Sequence, residues 1–135
     1  MGSASVESGG SAAGEPYHVL VVDDDQALAA VVAESLEHVD SDLRTAYTTE
    51  PREALTRLRR GSVDCLVTDY EMPELDGLAL VDRDETDTPF VLFTQRRDEE
   101  MAIATADRGG AYLPKGARHE QYRRLATLVH EQLEM

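Results

Sequence analysis

The stretch "VDCLVTDYEMPELDG" (63–77) decides the fold. Its first half is a short apolar run, the mark of a strand buried inside a sheet. Its second half is turn chemistry, Met72-Pro73 and then Asp76-Gly77. Asp69 stands between the two, where the chain is about to leave the interior. A carboxylate at that point has to be solvated, paired or used.

Outward from this stretch, the apolar period alternates between two and 3.6 residues, as a repeating strand–helix domain requires. Upstream, "HVLVV" (18–22) reads as another buried strand. Leu28, Val31, Val32, Leu36 and Val39 follow at the spacing of one helix face, with Asp25 placed as its N-cap. "LRTAYT" (43–48) gives a strand, and "PREALTRLRR" (51–60) a helix opened by proline and closed by Gly61. Downstream lie a short helix near 77–84, a strand "PFVLFT" (89–94) and an acidic-started helix "DEEMAIATADRGG" (98–110). A short strand "AYLP" (111–114) comes next. Tyr122, Leu125, Leu128, Val129 and Leu133 form the buried stripe of a last helix. Five strands alternating with five helices predict an α/β domain with a parallel sheet.

A chain of 135 residues suits one core, assigned to 17–135. Residues 1–16, "MGSASVESGGSAAGEP", read as a disordered tail without the layout of a signal peptide. No run approaches the roughly 20 apolar residues of a membrane span. The one cysteine, Cys65, sits in an apolar run and reads as a buried structural thiol. Together these features predict a soluble cytoplasmic domain. Acidic residues number 27 against 13 basic, a net charge of −14, and Lys115 is the only lysine. Such a surface repels phosphate backbones, which argues against direct nucleic-acid binding. The acid excess resembles proteins of salt-loving hosts; a GC-rich genome would also favour arginine over lysine.

In open parallel sheets, ligands bind beyond the carboxyl ends of the strands. There the sequence places Asp23 and Asp24, then Asp69, Thr94 and, just past the fifth strand, Lys115. Thr48 and Thr49, after the second strand, are unremarkable. Singly, each site residue has an ordinary explanation as a helix cap, a turn residue or a solvated loop charge. Jointly, three carboxylates, a hydroxyl and an ammonium converge on one rim.

This combination resembles the receiver domain of two-component response regulators over residues 17–134. "VLVVDDD" (19–25), "TDYEMPELDG" (68–77), "VLFT" (91–94) and "GGAYLPK" (109–115) carry the resemblance. It implies a flavodoxin-like (βα)5 three-layer sandwich with strand order 2-1-3-4-5. Neighbouring strands lie about 4.8 Å apart, so Asp24 and Asp69 are expected to face each other. Two carboxylates about 5 Å apart repel by roughly 3 kcal/mol at an effective dielectric near 20. The resemblance implies Mg2+ as the relief, held by Asp24, Asp23, Asp69 and the backbone carbonyl of Glu71. It makes Asp69 the phosphoacceptor, Lys115 a contact to a phosphoryl oxygen, and Thr94 the hydroxyl that reports the event. Tyr112 matches the aromatic that swings inward with it.

The implied partners are a sensor histidine kinase or phosphotransfer protein, and a downstream protein or fused output domain. A homodimer through the face of helix four, strand five and helix five is also implied. No enzymatic activity is expected beyond self-catalysed phosphotransfer and dephosphorylation.

The chain departs from the family pattern in three places. Proline precedes Lys115 and Gly116 follows it, which is expected to loosen the lysine's loop. The third helix is short. After Thr94 come Gln95, placed to narrow the cleft, and Arg96-Arg97, read as solvated charges or as contacts to an acidic partner. Two other functions compete: a receiver-like interaction module that does not switch by phosphorylation, and a phosphatase of the haloacid-dehalogenase type. The latter uses Asp-x-Asp where this chain has Asp69-Tyr70-Glu71.

Overall fold

Val19, Leu20, Val21 and Val22 are all buried, because the strand they form is covered on both faces. In the computed structural model, which describes residues 14–135, that strand is β1 (Tyr17–Val22). It is followed by α1 (Gln26–Val39), β2 (Leu43–Thr48), α2 (Pro51–Arg59), β3 (Cys65–Thr68) and α3 (Gly77–Arg83). β4 (Phe90–Thr94), α4 (Glu99–Asp107), β5 (Ala111–Pro114) and α5 (Glu120–Leu133) complete the chain. The strands pair in parallel in the order β2-β1-β3-β4-β5. Of the tail expected over 1–16, residues 1–13 lie outside the described residues.

Strand alternation divides the core into two layers. Val19, Val21, Cys65, Val67, Val91 and Phe93 face α1 and α5. Leu20, Val22, Leu66, Phe90 and Leu92 face α2, α3 and α4. Each fully buried leucine contributes about 1.5–3 kcal/mol, and Leu20, Leu66 and Leu92 are at most 1% exposed. Burial pushes the Cys65 thiol up to about 12, so it behaves as a packing residue.

One expectation about the helices needs correction. Val31, placed on the buried face of α1, is 47% exposed. The inward line runs Ala29, Val32, Ala33, Leu36, and Val31 lies about 200° round from Ala29. Two buried alanines, Ala29 and Ala33, let α1 approach the sheet. In α5, Gln132 is buried with the stripe, and its Oε1 accepts the Phe90 N–H at 3.3 Å. That contact satisfies the first amide of β4.

The edge strands are β2 and β5. Pro114 pairs with Thr94 on the outer strand β5, where a missing N–H is tolerated. Asp25, Asp76 and Asp98 each cap a helix, accepting from Leu28, Ala79 and Met101 respectively. Among the described residues, no helix is long and apolar enough to cross a membrane.

Candidate functional site

The β1–β3 register fixes the first two groups of the site. Val22 is level with Thr68, and the Asp69 N–H donates to the Val22 carbonyl at 2.9 Å. Continuing that register by one residue sets Asp23, rather than the expected Asp24, opposite Asp69. Asp23 is buried while Asp24 is exposed. One oxygen from each of Asp23, Asp24 and Asp69 lies within 4.8 Å of the others.

Lys115 reaches into this cluster. Its N–H donates to the Thr94 carbonyl at 2.7 Å, extending the β4–β5 pairing one residue past the strand. Its Nζ lies 2.7 Å from Asp23 Oδ2 and 3.5 Å from Asp69 Oδ2, with only 7% of the side chain exposed. The second Asp23 oxygen accepts the Asp25 N–H at 3.0 Å. Burial nevertheless holds the Asp23 carboxyl above its ordinary range, against the Lys115 contact and the Asp25 amide, and the Asp69 charge pushes the same way. One ammonium does not balance three carboxylates.

Asp69 is held from behind. The Tyr70 N–H donates to its Oδ1 at 2.7 Å, and the Thr68 hydroxyl to its carbonyl at 2.9 Å. Gly77 packs against this backbone so closely that a Cβ there would lie 2.1 Å from the Asp69 carbonyl oxygen. The Gly77 N–H also donates to the Tyr70 carbonyl at 2.8 Å. The Asp76-Gly77 pair thus does more than turn the chain. Asp76 caps α3, and Gly77 lets that helix sit directly on the strand end bearing Asp69.

On the other side, Thr94 is 1% exposed. Its Oγ1 accepts the Arg96 N–H at 3.4 Å, a contact that does not use the hydroxyl proton. The Tyr112 hydroxyl donates to the Arg96 carbonyl. Arg96 reaches Glu71 at 3.4 Å and Asp98 at 2.9 Å and lies 5.3 Å from the centre of the Tyr70 ring. The Asp98 carboxyl is held below its usual range by the Met101 amide first and by Arg96 second. Arg97 donates to the Lys115 carbonyl at 3.1 Å. The two arginines, read as free charges or as contacts to a partner, therefore tether neighbouring loops to one another. Nothing in their spacing signals this, because their partners lie up to 25 residues away.

The result is an open cleft of about 480 Å3 lined by Asp23, Asp24, Asp69, Glu71, Thr94, Gln95 and Lys115, among others. Tyr112 is not among its lining residues and meets the site through the β4–α4 loop. A larger concavity of about 580 Å3 lies at the amino ends of the strands, beside His18, Arg44 and Asp64. It gathers no comparable cluster. Asp40, Asp42 and His130 also converge, and there His130 Nε2 lies 2.7 Å from Asp40 Oδ2, a pair that ties α5 to the end of α1.

The family model of the response regulator receiver domain matches residues 19–126. The chain belongs to this family. It is 36% identical over 101 residues to the transcriptional regulatory protein TrcR of Mycobacterium tuberculosis, covering 73% of this chain and 38% of TrcR. It is 34% identical over 104 residues to the response regulator MprA of Mycolicibacterium vanbaalenii, covering 74% of this chain and 44% of MprA. The chain thus spans less than half the length of these two relatives. Among solved structures, the receiver domain of the Francisella response regulator 1452 superposes with a TM-score of 0.74 at 25% identity, covering 87% of this chain and 97% of that one. A CheY-like receiver protein from Methanospirillum hungatei shares the fold at the same TM-score and 18% identity, over 89% and 98% of the two chains. The receiver domain is therefore that of a two-component response regulator, with the β2-β1-β3-β4-β5 sheet that the sequence resemblance implied.

The donor set of the receiver's cleft also fits a hard divalent ion. It offers three carboxylates close together, incompletely neutralised, and open to solvent through Asp24.

Proposed function

We propose that Asp69 accepts a phosphoryl group from the phosphohistidine of a sensor kinase or phosphotransfer protein. A carboxyl oxygen attacks phosphorus, the P–N bond breaks, and the imidazole leaves with its electron pair and takes up a proton from solvent. The product is an acyl phosphate on Asp69. Such transfer depends on positioning and charge neutralisation. The observation that carries this reading is a buried ammonium shared between Asp23 and Asp69 at the ends of adjacent strands.

Asp23, Asp24, Asp69 and the Glu71 backbone carbonyl would hold Mg2+, which when bound supplies the positive charge that the cluster lacks. Lys115, 3.5 Å from Asp69, pairs with a phosphoryl oxygen. The Thr94 hydroxyl donates to another, drawing the β4–α4 loop and Tyr112 with it. The face of α4, β5 and α5 reads out this shift and docks a downstream partner, an output domain or a second copy. Ile103 on α4 is a large apolar side chain left 55% exposed. The receiver unit runs from 17 to 135 and works in the cytoplasm.

Incubation with Mg2+ and acetyl phosphate, followed by intact mass, tests the assignment. One phosphoryl group should be gained, and none in Asp69→Asn or with a chelator. A gain surviving in Asp69→Asn moves the nucleophile elsewhere. No gain with any donor leaves a receiver that works as an interaction module without phosphorylation.

A further inference from the structure

We infer that Arg97 and Gln121 are positioning residues for Lys115, gripping from two sides the one peptide unit that follows it. The Lys115 carbonyl accepts from Arg97 Nη2 at 3.1 Å. The Gly116 N–H donates to Gln121 Oε1 at 2.8 Å. That carbonyl and that amide belong to the same peptide bond. With the Lys115 N–H held by Thr94 at 2.7 Å, both peptide units flanking the lysine are fixed.

The need for such a grip is local. Beyond Pro114 the sheet ends, and α5 begins only at Glu120. Gly116 is the most pliable residue in that gap, yet neither space nor backbone conformation requires a glycine. A Cβ there would meet nothing within 4 Å, and its φ is not positive. Its freedom is a cost, because glycine loses more backbone freedom on folding than any other residue. At the end of a long side chain, an unfixed peptide plane would scatter Nζ about Asp23 and Asp69. A misplacement of about 1 Å at a reacting centre is enough to cost up to about 100-fold in rate.

The two gripping residues come from different elements. Arg97 lies in the β4–α4 loop and Gln121 in the first turn of α5. Each therefore joins the lysine to a neighbouring segment, and each acts through the Lys115–Gly116 peptide unit rather than on the carboxylates.

The consequence for phosphoryl transfer rests on the phosphoacceptor reading; the grip itself does not. Because Lys115 is the only lysine, lysine-selective 13Cε labelling gives one reporter. In the intact chain the two ε-methylene protons should be resolved and the Gly116 amide protected from hydrogen exchange. Gln121→Met should average the first and remove the second, while Gln121→Glu, which keeps the acceptor, should restore both. Arg97→Met should average the lysine signal as well. Gln121→Met should also slow phosphorylation by acetyl phosphate about tenfold, with Mg2+ affinity by calorimetry unchanged. Gly116→Ala in the Gln121→Met background should recover part of the rate by stiffening the loop.

Unchanged lysine and Gly116 signals in both Met variants would overturn the inference. So would altered signals with an unaltered phosphorylation rate. If the intact chain takes no phosphoryl group, the phosphoacceptor reading fails while the lysine signal still decides the grip. Unchanged exchange in β3 shows that the variants remain folded.

Discussion

The two halves of the sheet's carboxyl rim are held by different means. On the β1–β3 side, Asp23 and Asp69 continue strands whose neighbouring residues Val21, Val22, Val67 and Thr68 are all buried. Their separation is a matter of register, and the core would have to move to change it. On the β4–β5 side, β4 is buried but β5 is only half-buried throughout. The loops beyond them hang on exposed arginines and one half-buried tyrosine: Arg96 on Glu71 and Asp98, Arg97 on Lys115, and Tyr112 on Arg96. Exposed polar contacts of this kind contribute little each and open locally at small cost. One half fixes its carboxylates through the core, and the other is tied only by contacts that open at small cost. Lys115 spans them, with its backbone held by Thr94, Arg97 and Gln121 on the loop side and its ammonium between the buried carboxylates.

The largest effect should come from cutting that span. Lys115→Met leaves Asp23 and Asp69 buried without their cation, and breaking a buried pair costs about 3–5 kcal/mol. Urea denaturation in chelator should show the loss, and added Mg2+ should return much of it. Equal loss with and without Mg2+ would mean that the ion does not enter this cluster. Next comes Gly77→Ala. The obstacle is the Asp69 backbone at 2.1 Å, which cannot swing aside as a side chain would, so the cost should be about 1–3 kcal/mol. Gly116→Ala, facing open space, is the matched control and should be near neutral or stabilising.

The third effect is a slope against pH. Asp23 is raised in the folded state, chiefly by burial, so the fold favours its protonated form. The stability this lends is complete below the unfolded carboxylate pKa of about 3.9 and is lost as pH rises through the folded value. In chelator, the wild type should therefore lose stability relative to Asp23→Asn from about pH 4 upward. Mg2+, by favouring the ionised carboxylate, should flatten that difference. A wild type that gains on the variant over this range would place Asp23 in a better-compensated site than its burial indicates.

How much of this was legible in the sequence follows the same division. The fixed half could be read, because strand register and strand ends are local properties: apolar runs marked β1 and β3, and Asp23, Asp24 and Asp69 followed directly. Even there Asp23, not the expected Asp24, is level with Asp69, because the exact end of β1 is not marked in the sequence. Thr94 and Lys115 were placed by the same strand-end rule. What could not be read was how the second half is tied together. Arg96, Arg97 and Gln121 act on partners brought close only by folding, and arginines in a loop look alike whether solvated or bonded. Val31 faces outward for a related reason, since the small residues Ala29 and Ala33 take inward positions of α1.

The smallest effect is the sharpest check on the division itself. Tyr112→Phe deletes one hydrogen bond, from its hydroxyl to the Arg96 carbonyl, and leaves the ring to pack with the α2–α4 layer as before. Global stability should fall by about 0.5 kcal/mol or less. Hydrogen exchange should quicken at Gln95, Arg96 and Arg97, which share the tethered loop, while the amides of Leu66 and Val67 keep their protection. A local opening of this kind changes exchange without changing the denaturation midpoint much. If Tyr112→Phe instead cost as much as Gly77→Ala, or loosened β3 along with the loop, the second half would be part of the core. It could not then yield around a phosphoryl group while the carboxylates stay in place.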